Sequence, residues 1–209
     1  MDSCNRRNAH AGALLTTLLC LPAASWAAFA YDEAVDGDLS GDGLAPTVLV
    51  AGTGVNTLAG TTVGGDLDYL TFNVGAGLTL DAIILAAFDS SDDLAFIAIQ
   101  SGAQFTEPPV GTDPANLLGW LHMEQSFVGT DILDDMGQGD DAIGFTPPLG
   151  SGDYSFWIQQ TDLDEVAYEL HFMISGAPIP VPAALPLLGS GLLALGGYSR
   201  TRRRRSGKA

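Results

Sequence analysis

The chain has 209 residues, a length that suits one domain of ordinary size with additional segments. Its 25 acidic residues outnumber eight basic ones for a formal net charge of −17, and 24 of the acids but none of the Lys or Arg residues lie in residues 31–176. Because this part offers no cationic side chain, nucleic-acid binding and docking on an anionic lipid surface are both excluded for it.

Residues 1–30 have the three parts of a secretory signal peptide. Two arginines form the positive start, residues 11–21 form a short apolar run, and small residues then allow cleavage after Ala27 or after Ala30. An uncleaved N-terminal anchor is the alternative, but the apolar run is short for a helix that must cross a bilayer.

Residues 31–176 show the alternation of apolar and polar side chains that is typical of β-strands, most clearly from Val166 to Ile174. Clusters of Gly, Pro and Asp separate the strands, a weaker pattern predicts a strand at 142–145, and a helical turn is predicted at 130–136. The spacing predicts an all-β, jelly-roll-like sandwich of two antiparallel sheets. Both cysteines precede residue 31, so the core must hold this domain without disulfides.

Acidic loops of this domain are candidate calcium sites, because Ca²⁺ binds carboxylate oxygens supplied close together. Residues 36–43 space their oxygen ligands as an EF-hand loop does, although the twelfth position is Thr47 instead of Glu. A solvated acidic surface without a bound ion is the alternative. The candidate calcium ligands are Asp36, Asp38, Asp42, Asp66, Asp68, Asp89, Asp92 and Asp93.

The same domain offers little for catalysis. It holds two histidines, His122 and His171, and no Gly-x-Ser-x-Gly motif, so we expect a protein without enzymatic activity. Trp157 lies opposite the apolar stripe of its predicted strand and is a candidate glycan contact, together with Trp120. Packing of Trp157 against the second sheet is the alternative interpretation.

The C-terminal part of the chain forms a second targeting segment. Residues 177–182 are a proline-rich linker, 183–199 are an apolar stretch predicted to form a short transmembrane helix, and 200–209 are a basic tail. The positive-inside rule places this tail in the cytoplasm and the acidic domain outside. The basic cluster consists of Arg200, Arg202, Arg203, Arg204 and Arg205.

The tail also resembles a known family. Val181, Pro182, Ala183 and Ala184, followed by the apolar stretch and the arginines, resemble the PEP-CTERM sorting signal in its VP-x-PA variant. The resemblance implies that an exosortase-type protease in the inner membrane of a Gram-negative bacterium recognises the motif, cleaves near it and passes the protein toward the cell surface. A tail that stays permanently anchored is the alternative.

A second resemblance concerns the middle domain. Residues 66–80 and 150–158 are similar to segments of bacterial pre-peptidase C-terminal domains. Those domains are jelly-roll-like sandwiches on secreted proteins, often with bound calcium. The resemblance implies an accessory role in adhesion, targeting or stabilisation.

These observations predict an exported cell-surface or extracellular-matrix protein that passes through the inner membrane as a precursor. We expect a structural or adhesive role in association with exopolysaccharide, with calcium as the candidate cofactor and no nucleic-acid partner. The alternative is a carbohydrate-binding module without catalysis, and an acidic glycoside hydrolase is a distant third.

Overall fold

The computed structural model describes residues 27–91 and 93–176, where the predicted strand patterns fold into two sheets. The strands are β1 (Ala30–Asp32), β2 (Thr47–Val48), β3 (Gly54–Thr62), β4 (Leu67–Val74), β5 (Leu78–Asp89), β6 (Ala95–Ser101), β7 (Gly119–Met123), β8 (Gly152–Gln159) and β9 (Val166–Gly176). One sheet has the order β1-β3-β9-β5 and the other has the order β2-β4-β8-β6-β7.

The two sheets pack face to face, which confirms the predicted all-β sandwich. Phe72 of β4 and Phe156 of β8 each place their ring centroid 5.2 Å from that of Phe172 on β9, in the opposite sheet. All three side chains are at most 1% exposed. Alternate residues of these strands point into this layer, and each fully buried side chain of this size contributes about 1.5–3 kcal/mol.

The strand pairing differs from the antiparallel prediction at one edge of each sheet. Strands β3, β9 and β5 and strands β4, β8, β6 and β7 pair antiparallel, whereas β1 pairs with β3 and β2 pairs with β4 in parallel. Strands β1 to β5 alternate between the two sheets along the chain, so no tight hairpin joins the partners at these edges. Residues 33–46, which we call the crossing segment, connect β1 at the edge of one sheet to β2 at the edge of the other.

The helical content is limited to short turns in the described residues. α1 (Glu33–Asp36) lies in the crossing segment, and α2 (Leu133–Met136) confirms the helical turn predicted at 130–136. The strand predicted at 142–145 is wrong, because Gly144 has a φ of 81° and its N–H bonds to the carbonyl of Leu118 outside any strand ladder.

Several predicted elements lie outside the described residues. These are most of the signal peptide, the linker, the predicted transmembrane helix, the sorting motif from Val181 to Ala184 and the basic cluster from Arg200 to Arg205. Within 27–91 and 93–176, none of the helices has the length and apolar character that a bilayer crossing requires.

Phe29 anchors the start of the domain. Its ring lies 5.9 and 6.0 Å from two phenylalanine rings of the core, and its N–H donates to Oδ1 of buried Asn56 at 3.1 Å. The predicted cleavage position after Ala30 lies inside β1, whereas the position after Ala27 precedes all of these contacts. Cleavage after Ala27 therefore keeps the anchor, and cleavage after Ala30 removes it.

Candidate functional site

Three carboxylates converge where the crossing segment meets the sandwich. Glu33 begins α1, Asp38 follows α1 within the crossing segment, and Asp68 is the second residue of β4. One carboxylate oxygen of each lies within 4.8 Å of the other two. The hydroxyl of Tyr168 on β9 donates a hydrogen bond of 2.7 Å to Oδ2 of Asp68, and this bond joins the two sheets.

Asp68 is the buried member of the cluster. It is 0% exposed and shares the inward-facing side of β4 with Leu70, Phe72 and Val74. Burial raises the pKa of Asp68 to about 8, the hydrogen bond from Tyr168 lowers it, and the negative charge of Glu33 raises it further. Among the described residues, Oδ1 of Asp68 has no hydrogen-bond partner. A buried oxygen of this kind is costly, so the site favours a proton or a cation.

Glu33 is half-buried and already holds two backbone amides. Its Oε2 accepts the N–H of Thr61 at 2.7 Å, and its Oε1 accepts the N–H of Leu39 at 3.0 Å. Burial raises the pKa of Glu33, the two amides lower it, and nearby Asp38 raises it. Glu33, Asp38 and Tyr168 line a hollow of about 520 Å³, which gives solvent and ions access to these members of the site, whereas Asp68 lies behind its wall.

Gly60 on β3 makes this arrangement possible. A Cβ at this position would lie 2.5 Å from the hydroxyl oxygen of Tyr168 and 2.8 Å from Oε2 of Glu33. Both distances are too short for a real contact, so any side chain at Gly60 would displace the groups that surround Asp68. The hydroxyl of Tyr168 and the carboxylate of Glu33 thus occupy the space that a side chain at position 60 would fill.

The donor set fits calcium. Ca²⁺ binds six to eight oxygens at about 2.3–2.6 Å, so ligands on opposite sides of the ion lie about 5 Å apart. Oxygens that lie within 4.8 Å of one another can therefore share one ion. Carboxylates bind Ca²⁺ through one or both oxygens, and water completes the shell where a site is open to solvent. Glu33, Asp38 and Asp68 are the residues that would hold the ion.

Two of the eight predicted calcium ligands, Asp38 and Asp68, belong to the cluster. Asp66 lies near it, because its negative charge contributes to the raised pKa of Asp68, and Asp89 lines the same hollow. Asp92 lies outside the described residues.

Three other predicted ligands accept backbone N–H groups instead. Oδ2 of Asp36 accepts the N–H of Asp32 at 3.0 Å, and Oδ1 of Asp42 accepts the N–H of Leu44 at 2.9 Å. Oδ1 of Asp93 accepts a backbone N–H at 2.6 Å. Within residues 36–43, the acids therefore do not assemble as an EF-hand loop would require; Asp38 instead faces Glu33 and Asp68.

Sequence analysis missed Glu33, Tyr168 and Gly60. One available signal was the position of Asp68, which places a charged residue at the head of the inward stripe of β4. A charge in an apolar stripe predicts a buried partner or ligand. Nothing in the local sequence indicates that the partners come from α1 and β9.

Trp157, the predicted glycan contact, is only 2% exposed, and that prediction is wrong. The indole lies on the outer face of the five-stranded sheet, where the loop between β6 and β7 covers it with Phe105 and Leu117. Its ring centroid is 5.6 Å from that of Phe105 and 6.0 Å from that of Tyr69. The side chain thus belongs to a second hydrophobic cluster outside the main core.

Accessible aromatic side chains lie next to Trp157. Phe96, Trp120 and His122 share a hollow of about 250 Å³ with Gln159. The ring centroids of Phe96 and Trp120 are 6.0 Å apart, and those of Trp120 and His122 are 5.3 Å apart. We call this surface the aromatic hollow. It offers ring faces beside polar groups, a combination that suits small-molecule binding.

Comparison with known proteins identifies no family for this chain. No protein-family model matches it, and neither does any curated protein. Among solved structures, it is similar to PliG from Aeromonas hydrophila, a periplasmic inhibitor of g-type lysozyme, with 17% identity and a TM-score of 0.32 over 62% of this chain and 96% of the other. A similarity at this level establishes no shared function.

The raised pKa of Asp68 predicts how the stability of the ion-free protein depends on pH. The folded pKa of about 8 exceeds the ordinary value of 3.8, so the folded state binds the proton more tightly than the unfolded state does. The free energy of unfolding should therefore fall as pH rises from about 4 to about 8. Replacement by Asn keeps an acceptor for Tyr168 and removes the charge. The free energy of unfolding of Asp68→Asn should exceed that of the wild type by about 1–3 kcal/mol at pH 8 in EDTA, and the two should be almost equal at pH 4.

Urea unfolding at both pH values measures this difference. Asp140→Asn is the matched control, because Asp140 is exposed beside β7 and loses the same charge on replacement. A variant that is less stable than the wild type at pH 8 in EDTA would contradict the prediction.

Proposed function

We propose that this chain is an exported cell-surface or matrix protein whose β-sandwich binds a calcium ion at Glu33, Asp38 and Asp68. One observation carries the proposal: the fully buried carboxylate of Asp68 has an oxygen without a hydrogen-bond donor and faces two further carboxylates. Residues 31–176 contain no Lys or Arg that could neutralise these charges. An external cation would do so and would ligate the unpaired oxygen.

The proposed location agrees with the chemistry of such a site. Calcium sites of extracellular modules work at dissociation constants of about 10⁻⁴–10⁻³ M. The terminal segments of the sequence support export: a signal peptide, and a tail that resembles an exosortase-type sorting signal. The proposed role is structural or adhesive, without catalysis and in association with exopolysaccharide.

Calcium should stabilise the protein through this site. At 10 mM Ca²⁺ and the dissociation constants above, binding to the folded state should raise the free energy of unfolding by about 1.4–2.7 kcal/mol. This corresponds to a rise in Tm of about 3–10 °C. Asp68→Asn should lose this gain, so calcium should reduce or reverse the advantage in stability that the variant has over the wild type at pH 8 in EDTA.

Thermal melting at matched ionic strength measures the effect, with Asp140→Asn as the control that should respond as the wild type does. Equal Tm values for the wild type in calcium and in EDTA would overturn the calcium site. An equal rise in the wild type and in Asp68→Asn would show that general charge screening is responsible.

Export and sorting should leave a shortened chain at the cell surface. Because Phe29 anchors the fold, we expect the mature chain to begin at Ala28, and the proposed sorting removes the segment after the motif at Val181. Cell fractionation followed by intact-mass measurement reads both ends. A full-length tail retained in the inner membrane would contradict processing, and a first residue of Tyr31 would contradict the role of Phe29.

A carbohydrate-binding module is the second candidate function, and the aromatic hollow favours it. Phe96, Trp120 and His122 present accessible rings, and none of the side chains lining the hollow is acidic. In a domain as acidic as this one, such a surface suits an uncharged sugar ring better than a charged ligand.

Trp120→Ala should weaken binding to a neutral polysaccharide at least about tenfold, which corresponds to about 1.4 kcal/mol. Binding to a panel of immobilised neutral polysaccharides measures the loss. His171→Ala, on a half-exposed residue of the other sheet, is the control and should bind as the wild type does. Absence of binding by the wild type to every member would exclude the module for those glycans.

A further inference from the structure

The crossing segment carries two of the three proposed calcium ligands, whereas the third belongs to the sandwich. Glu33 and Asp38 lie in the crossing segment, and Asp68 lies on β4. An ion held by all three would therefore link the crossing segment directly to β4, to which the chain connects it through β2 and β3. Such an ion would hold the crossing segment on the sandwich while the segment holds the ion.

Apolar packing does not hold the first part of the crossing segment. The single turn α1 contains no buried residue, and Val35 is 80% exposed. Leu39, which is 3% exposed, is the first residue of the segment that enters the core. Residues 33–38 thus depend on polar contacts for their position on the sandwich.

Most of these polar contacts stay within the segment or its immediate neighbours. The hydroxyl of Tyr31 donates to the carbonyl of Gly37 at 2.7 Å, and Oδ1 of Asp32 accepts the N–H of Ala34 at 3.0 Å. The contact that reaches beyond the flanking strand β1 is the bond from the N–H of Thr61 on β3 to Oε2 of Glu33. The carboxylate of Glu33 therefore attaches α1 to a strand that is not its neighbour in the chain.

This attachment depends on whether a cation offsets the charges of the three carboxylates. Without a cation, the ionised forms of Glu33, Asp38 and Asp68 repel one another at less than 4.8 Å. A divalent cation among them turns that repulsion into attraction. Gly60 leaves the space that Glu33 needs to reach the site, because a Cβ there would lie 2.8 Å from its Oε2.

Building on the proposed calcium site, we propose that the ion acts as a clasp that docks residues 33–38 onto the sandwich. The clasp closes when the exported chain meets calcium. The buried carboxylate of Asp68 on β4 supplies the fixed half of the clasp, and Glu33 and Asp38 supply the movable half.

The experiment measures calcium binding and docking separately on the folded domain. Isothermal titration with CaCl₂ reports binding. Amide hydrogen exchange by NMR reports docking through the N–H groups of Thr61 and Leu39, which both donate to Glu33. The N–H of Leu80, which bonds to the carbonyl of Leu149, is the internal reference outside the site.

We expect calcium to slow exchange at Thr61 and Leu39 by about tenfold or more and to leave Leu80 unchanged. Asp68→Asn should abolish both binding and slowing, and Asp140→Asn should preserve both. Gly60→Ala retains all three acidic residues but should displace the carboxylate of Glu33, and it should therefore weaken docking. If Gly60→Ala fails to fold, Glu33→Gln replaces it: this variant loses one ligand from the segment and should weaken both calcium binding and the slowing at Thr61 and Leu39.

The outcomes distinguish the two proposals. Calcium binding with unchanged exchange at Thr61 and Leu39 overturns the clasp and leaves the calcium site standing. No calcium binding by the wild type overturns the site and the clasp together. Slowing that extends equally to Leu80 indicates general stabilisation and also overturns the clasp.

Discussion

The hydroxyl of Tyr168 donates a hydrogen bond to the carboxylate of Asp68 and so joins the two sheets across the interior. The crossing segment, which runs from one sheet to the other, passes this point. This bond satisfies one oxygen of a fully buried acid and leaves the other without a donor among the described residues. Low-dielectric surroundings make an ionised group in that position expensive. The crossing segment adds Glu33 and Asp38 at the same point, so one proton neutralises a single charge whereas one divalent cation neutralises two and can contact all three carboxylates.

Other acidic side chains of the domain form hydrogen bonds with nearby backbone N–H groups. Asp32, Asp42 and Asp113 each accept the backbone N–H of the residue two positions later, at 2.9–3.1 Å. Such bonds stabilise turns and give Asp a role that Lys and Arg cannot fill. These acids therefore serve local backbone structure at the surface. Asp68 of the candidate site differs from them because it is buried and meets Glu33 and Asp38 from a distant part of the chain.

The five-stranded sheet buries aromatic side chains on both faces. Its inner face packs against the other sheet, and its outer face carries Tyr69 and Trp157 beneath the loop between β6 and β7. This loop leaves Phe96 and Trp120 partly uncovered, and both line the aromatic hollow. Strand alternation predicts which side chains share a face, but only the course of the covering loop separates a buried indole from an accessible one.

The sequence by itself determined the sandwich, because the period-two pattern of strands such as β9 depends only on neighbouring residues. It also determined that the domain is strongly acidic and that Asp68 stands at the head of an apolar stripe. Only the tertiary structure decided that β1 and β2 pair in parallel, that Trp157 is covered, and that Glu33, Asp38 and Tyr168 surround Asp68. The physical reason is that these relations join residues far apart in the chain, and strand order and the path of the crossing segment set their distances.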